Sequence, residues 1–152
     1  MKKIFYKILV VGLFSIAYTT SFAQCELSEI QKKAEAKLGK MISLKTFKLD
    51  NSDSQHQEIE YSYVLGKDVE YLFAINSENT DSPKIIITLY NSNKKPIASN
   101  YNEKTDHFSN TLIYKSSATK LYYITFKFKD ETKCAACVLG FKSGNNKKLS
   151  AW

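Results

Sequence analysis

The feature that most constrains this fold is a run of alternating side chains near the C-terminus. Over residues 121–141 (LYYITFKFKDETKCAACVLGF), apolar and polar side chains first alternate with the period of a half-buried strand. The apolar side chains that share one face are Tyr122, Ile124, Phe126 and Phe128. Polar residues 129–133 follow, and the nearly continuous apolar run over 134–141 is typical of a strand in a sandwich core. The pattern predicts a C-terminal β-hairpin against which the rest of the chain packs.

Residues 1–23 have the pattern of a secretory signal peptide. The positive charges at the start are Lys2, Lys3 and Lys7. An apolar core follows over residues 8–17, and the small residues Ser21 and Ala23 precede a cleavage site. This core is shorter than the ~20 residues that a membrane-spanning helix needs. We therefore predict a chain without a transmembrane segment, exported to the periplasm or the cell exterior, whose mature form begins at Gln24.

A second interpretation makes Cys25 the lipidated cysteine of a bacterial lipoprotein, because it follows the signal-like segment directly. Phe22 and Gln24 depart from the leucine and the small residue that usually precede such a cysteine. We favour the unanchored protein over lipoprotein anchoring at Cys25.

The charged residues argue against nucleic-acid binding. All 22 basic residues are lysines and none is arginine, so bidentate recognition of guanine or phosphate is excluded. The lysines are also interspersed with acidic residues, as on a solvated surface. The length after the signal peptide suits one domain, which we place at residues 24–142, followed by a flexible tail at 143–152 that ends in Trp152.

The segment 27–41 is predicted to form one short amphipathic helix. Its apolar residues recur every three or four positions: Leu27, Ile30, Ala34, Leu38 and Met41. Ser28 can cap the start, and Gly39 marks the end. We expect the apolar stripe of this helix to cover an edge or an end of a β-sheet layer.

From Ile42 onward, short strands and polar turns alternate at regular intervals, which predicts an antiparallel β-sandwich of about eight strands. Residues 59–65 and 69–75 alternate on either side of a Gly-Lys-Asp turn, so they predict a hairpin. The β-branched run over 84–90 predicts a central strand. Further strands are expected at 44–49, 97–101 and 108–115.

Three segments carry a family resemblance. In order, YVLGKDVEYLFAI, KIIITLYNSNKKPIASN and KLYYITFKF resemble the bacterial pre-peptidase C-terminal type of jelly-roll β-sandwich, over residues 61–141. The chain also looks like small secreted proteins of Gram-negative bacteria that contain this sandwich alone. The resemblance implies a jelly-roll fold and a non-enzymatic accessory or binding module. Some relatives bind calcium or extracellular polymers such as collagen, but their acidic calcium-ligand cluster has no match here, so we carry over no metal and no cofactor.

The three cysteines, Cys25, Cys134 and Cys137, are predicted to lie in an oxidising compartment, where disulfides persist. A redox pair of Cys134 and Cys137 would need its first thiol at a helix N-terminus, whereas the motif opens a strand. Residues three apart in a strand are ~10 Å apart, beyond the ~7 Å limit for a disulfide. We favour a Cys25–Cys134 disulfide that ties the helix to the last strand. Pairing of Cys25 with Cys137, a Cys134–Cys137 bridge and free thiols stay open.

Exposed tyrosines are the other candidate site. Tyr90, Tyr101 and Tyr123 are predicted to face away from the core, where a row of rings can stack against sugars, although covering sheet edges explains them more simply. His56 and His107 fall in polar loops without metal-ligand spacing, so we expect solvated histidines. We conclude that the chain is an exported, non-catalytic binding or structural module for an unidentified extracellular or periplasmic ligand. The alternatives are a periplasmic thiol-disulfide protein that uses Cys134 and Cys137, and a lectin-like module that binds calcium or glycans.

Overall fold

The structure, a computed structural model, describes residues 27–51 and 58–142. Within these ranges the chain forms one helix, α1 (Leu27–Ala36), and ten strands. The first five strands are β1 (Ile42–Asp50), β2 (Glu58–Leu65), β3 (Glu70–Ser77), β4 (Ile85–Tyr90) and β5 (Pro96–Ser99). The other five are β6 (Tyr101–Asn102), β7 (His107–Phe108), β8 (Thr111–Lys115), β9 (Lys120–Phe128) and β10 (Cys134–Lys142).

Eight of these strands form two four-stranded antiparallel sheets. Sheet A has the order β1-β10-β3-β8, and sheet B has the order β2-β9-β4-β5. The ladders pair β4 with β5, β3 with β8, β2 with β9 and β1 with β10. In each of these ladders an earlier strand pairs antiparallel with a later strand. Ladders β1–β10 and β3–β8 lie in sheet A, and ladders β2–β9 and β4–β5 lie in sheet B. The short strands β6 and β7 form a separate hairpin.

Both predicted hairpins are wrong. β9 lies in sheet B and β10 in sheet A, so residues 121–141 form two strands that never pair with each other. The same holds for β2 in sheet B and β3 in sheet A. The side-chain alternation specifies a strand and its buried face, but it does not specify the neighbouring strand. In both cases the polar connection crosses between the sheets.

The strand count also differs from the expected eight or so, because the β6–β7 hairpin adds two strands of only two residues each. Segments this short carry no periodicity that a sequence pattern can reveal. The prediction that residues 84–90 form a central strand is confirmed, since β4 lies between β9 and β5.

The inner faces of the two sheets share one hydrophobic core. The ring of Phe47 in sheet A lies 5.0 Å from the ring of Tyr61 and 5.9 Å from the ring of Phe126, both in sheet B. Phe73 and Ile87 are completely buried at the same interface. The two sheets therefore pack face to face as the layers of a β-sandwich.

Helix α1 covers the outer face of sheet A. One apolar cluster joins the helical segment to the two central strands through Ala34, Leu38, Leu72, Ala74 and Val138. Nearer the start of the helix, Ile30 contacts Cys134 and Ala136. Strands β3 and β10 are consequently buried on both faces, which explains the nearly continuous apolar run over 134–141. The sequence predicted that the helix covers an edge or an end of a sheet layer. The helix instead lies on the central strands of sheet A.

The helix ends at Ala36, five residues before the predicted end at Met41. Turns follow over residues 37–40, where Gly39 has a φ of 61° that side chains rarely adopt. The ammonium of Lys37 donates hydrogen bonds of 2.8 Å to Ile75 O, Asn76 Oδ1 and Asp81 O. These bonds attach the end of the helix to the last residues of β3 and the loop after it. In the part of the chain that the structure describes, no helix has the length and apolar character to cross a membrane.

Candidate functional site

Sheet B keeps an outer face that α1 does not cover. Alternate residues of β2, β4 and β9 point away from the core on this side, and we call these side chains the outer face of sheet B. They are Glu58, Glu60, Ser62 and Val64 of β2, Ile86, Thr88 and Tyr90 of β4, and Leu121, Tyr123, Thr125 and Lys127 of β9. Two of the apolar members stay accessible, with Val64 56% exposed and Leu121 40% exposed.

Two predicted site residues are neighbours on the two central strands of this face, at the end of β4. Tyr90 and Tyr123 are directly opposite each other in the β4–β9 ladder, and both are half-buried. Side chains at such positions start from Cβ atoms ~4.5–5.5 Å apart, so the two tyrosines are neighbours on this face, and we call the pair the aromatic patch. The next pair of the ladder on this face is Thr88 with Thr125, and on the other side Ser62 lies opposite Tyr123. Hydroxyl groups therefore flank the aromatic patch.

The β4–β5 turn places a charge over this patch. The carbonyl of Asn91 accepts a hydrogen bond of 2.9 Å from Lys94 N, and its side-chain Oδ1 accepts bonds from the backbone of Asn93 and Lys95. Lys94 itself has a φ of 57°, in the left-handed region. Since asparagine side chains stabilise turns through such bonds, the sequence Asn-Ser-Asn-Lys specifies this local conformation.

The Lys94 ammonium lies 3.5 Å from the centre of the Tyr123 ring. It also donates to the Glu60 carboxylate at 2.6 Å. One face of the Tyr123 ring is therefore occupied by a cation, and the carboxylate that balances it comes from the neighbouring strand β2. The outer face of sheet B combines an aromatic patch, the accessible hydroxyl-bearing residues Ser62 and Thr88, and one ion pair, which suits a hydrogen-bonding ligand that also packs against rings.

Tyr101 is not part of this face. It lies in the β6–β7 hairpin, where its ring packs 4.6 Å from the ring of Phe108. Its hydroxyl donates a hydrogen bond of 2.9 Å to Asp106 Oδ1, and this bond raises the pKa of Tyr101. His107 belongs to the same hairpin and is exposed. The structure thus brings together two of the three candidate tyrosines, and a row of three rings does not form.

The two C-terminal cysteines lie on opposite faces of β10. Cys137 points into the core between the sheets, is fully buried and is a free thiol. Burial raises the pKa of the Cys137 thiol, so the thiolate that disulfide exchange requires is disfavoured. Cys134 lies under the first turn of α1, beside Ile30. A Cys134–Cys137 bridge is absent, which corrects that alternative, and this arrangement does not favour the redox interpretation.

Cys25 lies outside the described residues, as do His56 and the tail at 143–152. The Cys25–Cys134 disulfide therefore stays a prediction. Among residues 27–51 and 58–142, no group of three His, Cys, Asp or Glu side chains is arranged to hold a metal ion.

Sequence reasoning missed Lys94 and Glu60. Their side chains meet although they are 34 positions apart, which no spacing rule reveals. The signal that was available is the Asn-rich turn at residues 91–95, because a tight turn next to a central strand returns its side chains over that strand.

No protein-family model matches the chain, and no curated protein matches it. Among solved structures, the fold is similar to the crystal structure of Aeromonas hydrophila PliG, a periplasmic lysozyme inhibitor of g-type lysozyme. The two chains are 11% identical over 66% of this chain and 85% of that chain, with a TM-score of 0.43. A likeness this distant identifies neither a ligand nor an activity.

Proposed function

We propose that this chain is an exported, non-catalytic binding module that contacts its ligand through the outer face of sheet B. The observation that carries the proposal is the Tyr90–Tyr123 pair, placed side by side on the face opposite the one that α1 covers. An aromatic pair that remains half-exposed on a rigid sheet contributes contact area without the entropy cost of ordering a loop. The signal-like segment at residues 1–23 supports export.

The fold we propose for this module is a jelly roll of the pre-peptidase C-terminal type. The ladders β1–β10, β2–β9, β3–β8 and β4–β5 support it, because a jelly roll is an eight-stranded double sheet with the connectivity of two Greek keys. Within this proposal, the β6–β7 hairpin is an insertion between the fifth and sixth long strands.

A glycan-binding, lectin-like role is the second candidate, and the same tyrosine pair favours it. The apolar face of a sugar ring packs well on an aromatic ring, and the flanking Thr88 and Ser62 hydroxyls with the Glu60 carboxylate can pair with sugar hydroxyls. This composition fits a neutral polymer laid across β2, β9 and β4.

The proposal is tested with the protein purified from an exporting host. Affinity is measured for a panel of four probes: chitin oligosaccharides, a soluble β-glucan, soluble peptidoglycan fragments and a collagen peptide. We expect at least one probe to bind, and the double variant Tyr90→Ala/Tyr123→Ala to lose about tenfold or more in affinity, the factor that ~1.4 kcal/mol represents. The matched control is Tyr101→Ala, which removes the same side chain from a separate hairpin and is expected to leave affinity unchanged.

Two results contradict the proposal. One is that none of the four probes binds at millimolar concentration. The other is that a probe binds equally well to the double variant, which would place its site elsewhere on the molecule.

A further inference from the structure

A groove of 230 Å³ lies at one end of the sandwich, between the β4–β5 turn and the β8–β9 loop. The side chains that matter for its chemistry are Asn91, Ile97, Tyr114, Lys120 and Tyr122. Pockets for drug-sized ligands occupy ~300–1,000 Å³. This smaller groove therefore fits a single ring-sized group.

Tyrosine side chains form one wall of the groove. The rings of Tyr114 and Tyr122 lie 5.7 Å apart at an angle of 64°. The Tyr122 hydroxyl is already engaged by Ser116 Oγ at 3.0 Å. Burial and a side-chain hydrogen bond with Tyr122 raise the pKa of Tyr114 to about 12. The Tyr114 hydroxyl is therefore engaged within the wall, and Tyr114 supplies an apolar ring to the groove.

The charge in the groove lining is positive and comes from Lys120. Lys120 contributes an ammonium, and the groove contains no carboxylate. In the described part of the chain, Lys120 forms no ion pair. The Oδ1 of Asn91 is engaged by two backbone N–H groups, which leaves the amide NH₂ of Asn91 as a donor. The groove therefore offers donors and one positive charge beside apolar surface from Ile97, which is 38% exposed.

The groove and the outer face of sheet B are bordered by the same turn. One turn, at residues 91–95, borders both: Asn91 and Asn93 line the groove, while Lys94 lies over Tyr123. A polymer that lies across Tyr90 and Tyr123 reaches the groove at its end, since Tyr90 directly precedes Asn91.

We propose that this groove binds an acidic terminal sugar, one ring that carries a carboxylate, at the end of a glycan held on the outer face of sheet B. The inference rests on the proposed function and names the chemistry of one end of its ligand. The sugar ring packs against Tyr114 and Ile97, and the carboxylate pairs with Lys120. The Asn91 amide NH₂ donates to one of the remaining oxygens.

Three small probes separate the contributions of ring and charge. Methyl glucuronide carries both, methyl glucoside carries only the ring, and acetate carries only the charge. Each is titrated into the isotope-labelled protein at constant ionic strength, and backbone amide shifts are followed by NMR. We expect saturable shifts at residues 91–97 and 114–120 with methyl glucuronide alone, and weaker binding as salt is raised.

Paired lysine variants test the role of the charge. Lys120→Gln is expected to weaken methyl glucuronide binding by about tenfold, because it removes a charge-assisted contact. Lys129→Gln removes the same charge from an exposed position just after β9, outside the groove, and is expected to leave affinity unchanged. Equal weakening by both variants would show only long-range attraction and would overturn the assignment.

The inference also fails if methyl glucuronide gives no saturable shift, if its shifts lie outside the groove, or if either partial probe binds equally well. Its failure is distinct from that of the proposed function. When a polymer of the four-probe panel still binds in a manner that depends on Tyr90 and Tyr123, the binding face stands and only the acidic end group is refuted.

Discussion

The ammonium of Lys94 lies 3.5 Å from the centre of the Tyr123 ring, between the β4–β5 turn and the central strand β9. Because the same ammonium pairs with Glu60 on β2, this one side chain connects three segments of sheet B on its outer face. The contact holds the Tyr123 side chain against Lys94 in the ligand-free protein. A preordered patch loses less entropy on binding than a mobile one.

Replacing the charge tests this contact. Lys94→Met keeps the aliphatic stem and removes the ammonium, so we expect the free energy of unfolding to fall by about 0.5–1 kcal/mol, the range for an exposed cation–π contact or ion pair. The loss is expected to shrink at high salt. Urea unfolding measures it, with Lys95→Met, the exposed neighbour, as the control. An equal loss in both variants would contradict a specific role for Lys94.

Lys37 connects the end of helix α1 to sheet A through hydrogen bonds. We expect its replacement to lower the free energy of unfolding by more than Lys94→Met does. Lys37→Met deletes three hydrogen bonds and leaves the completely buried Asn76 without a partner for its Oδ1. Because an unsatisfied buried acceptor costs about 1–3 kcal/mol, we expect a loss of about 2–3 kcal/mol in unfolding free energy. Lys33→Met is the matched control, since it removes only an exposed ion pair with Asp81 at 3.8 Å. Similar losses for the two would refute the structural role of Lys37.

We expect the free energy of unfolding to fall at high pH because Tyr114 loses its phenolic proton. Its folded-state pKa of about 12 is above the ordinary value of 10.0, so the folded state holds the phenolic proton more tightly than the unfolded chain. This contribution is complete below about pH 10 and is lost as the pH rises toward 12. Unfolding free energies measured across that interval should decline less in Tyr114→Phe than in the unmodified protein. Parallel declines would show that Tyr114 titrates normally.

The cysteine arrangement predicts one disulfide. Cys134 lies beside Ile30 under the first turn of α1, and Cys25 comes two residues before Leu27 in the sequence, whereas Cys137 is buried in the core. We expect a non-reducing peptide map of the exported protein to show a Gln24 N-terminus, a Cys25–Cys134 link and an unmodified Cys137. A Cys134–Cys137 link would require β10 to unpair from β1 and would refute the strand assignment.

The sequence predicts where the strands lie better than it predicts which strands pair with each other. Alternation in 59–65 and 121–128 identified β2 and β9 with their buried faces, because the periodicity of a half-buried strand is local. Which strands pair is decided by contacts between distant residues, such as Tyr61 with Ile124. For that reason both hairpin predictions failed, although the strands themselves are present.

In the candidate site, the direction in which a side chain faces could likewise be predicted from the sequence, whereas its neighbours on the sheet could not. That Tyr90 and Tyr123 face away from the core could be predicted from strand parity alone. That they are direct neighbours, while Tyr101 lies in a separate hairpin, depends on the β4–β9 register. The expectation that Cys134-Ala-Ala-Cys137 opens a strand, and so is unsuited to a redox pair, follows from the same local pattern, and the two side chains lie on opposite faces of β10.

The most direct test of the account is to locate the ligand on the molecule. Nuclear Overhauser contacts are recorded between protons of the tightest-binding probe of the panel and the aromatic and methyl protons of the protein. We expect contacts to the rings of Tyr90 and Tyr123 and to the Thr88 methyl group. Contacts to helix α1 or to Tyr101, with none to Tyr90 and Tyr123, would contradict the assignment of the outer face of sheet B as the binding surface.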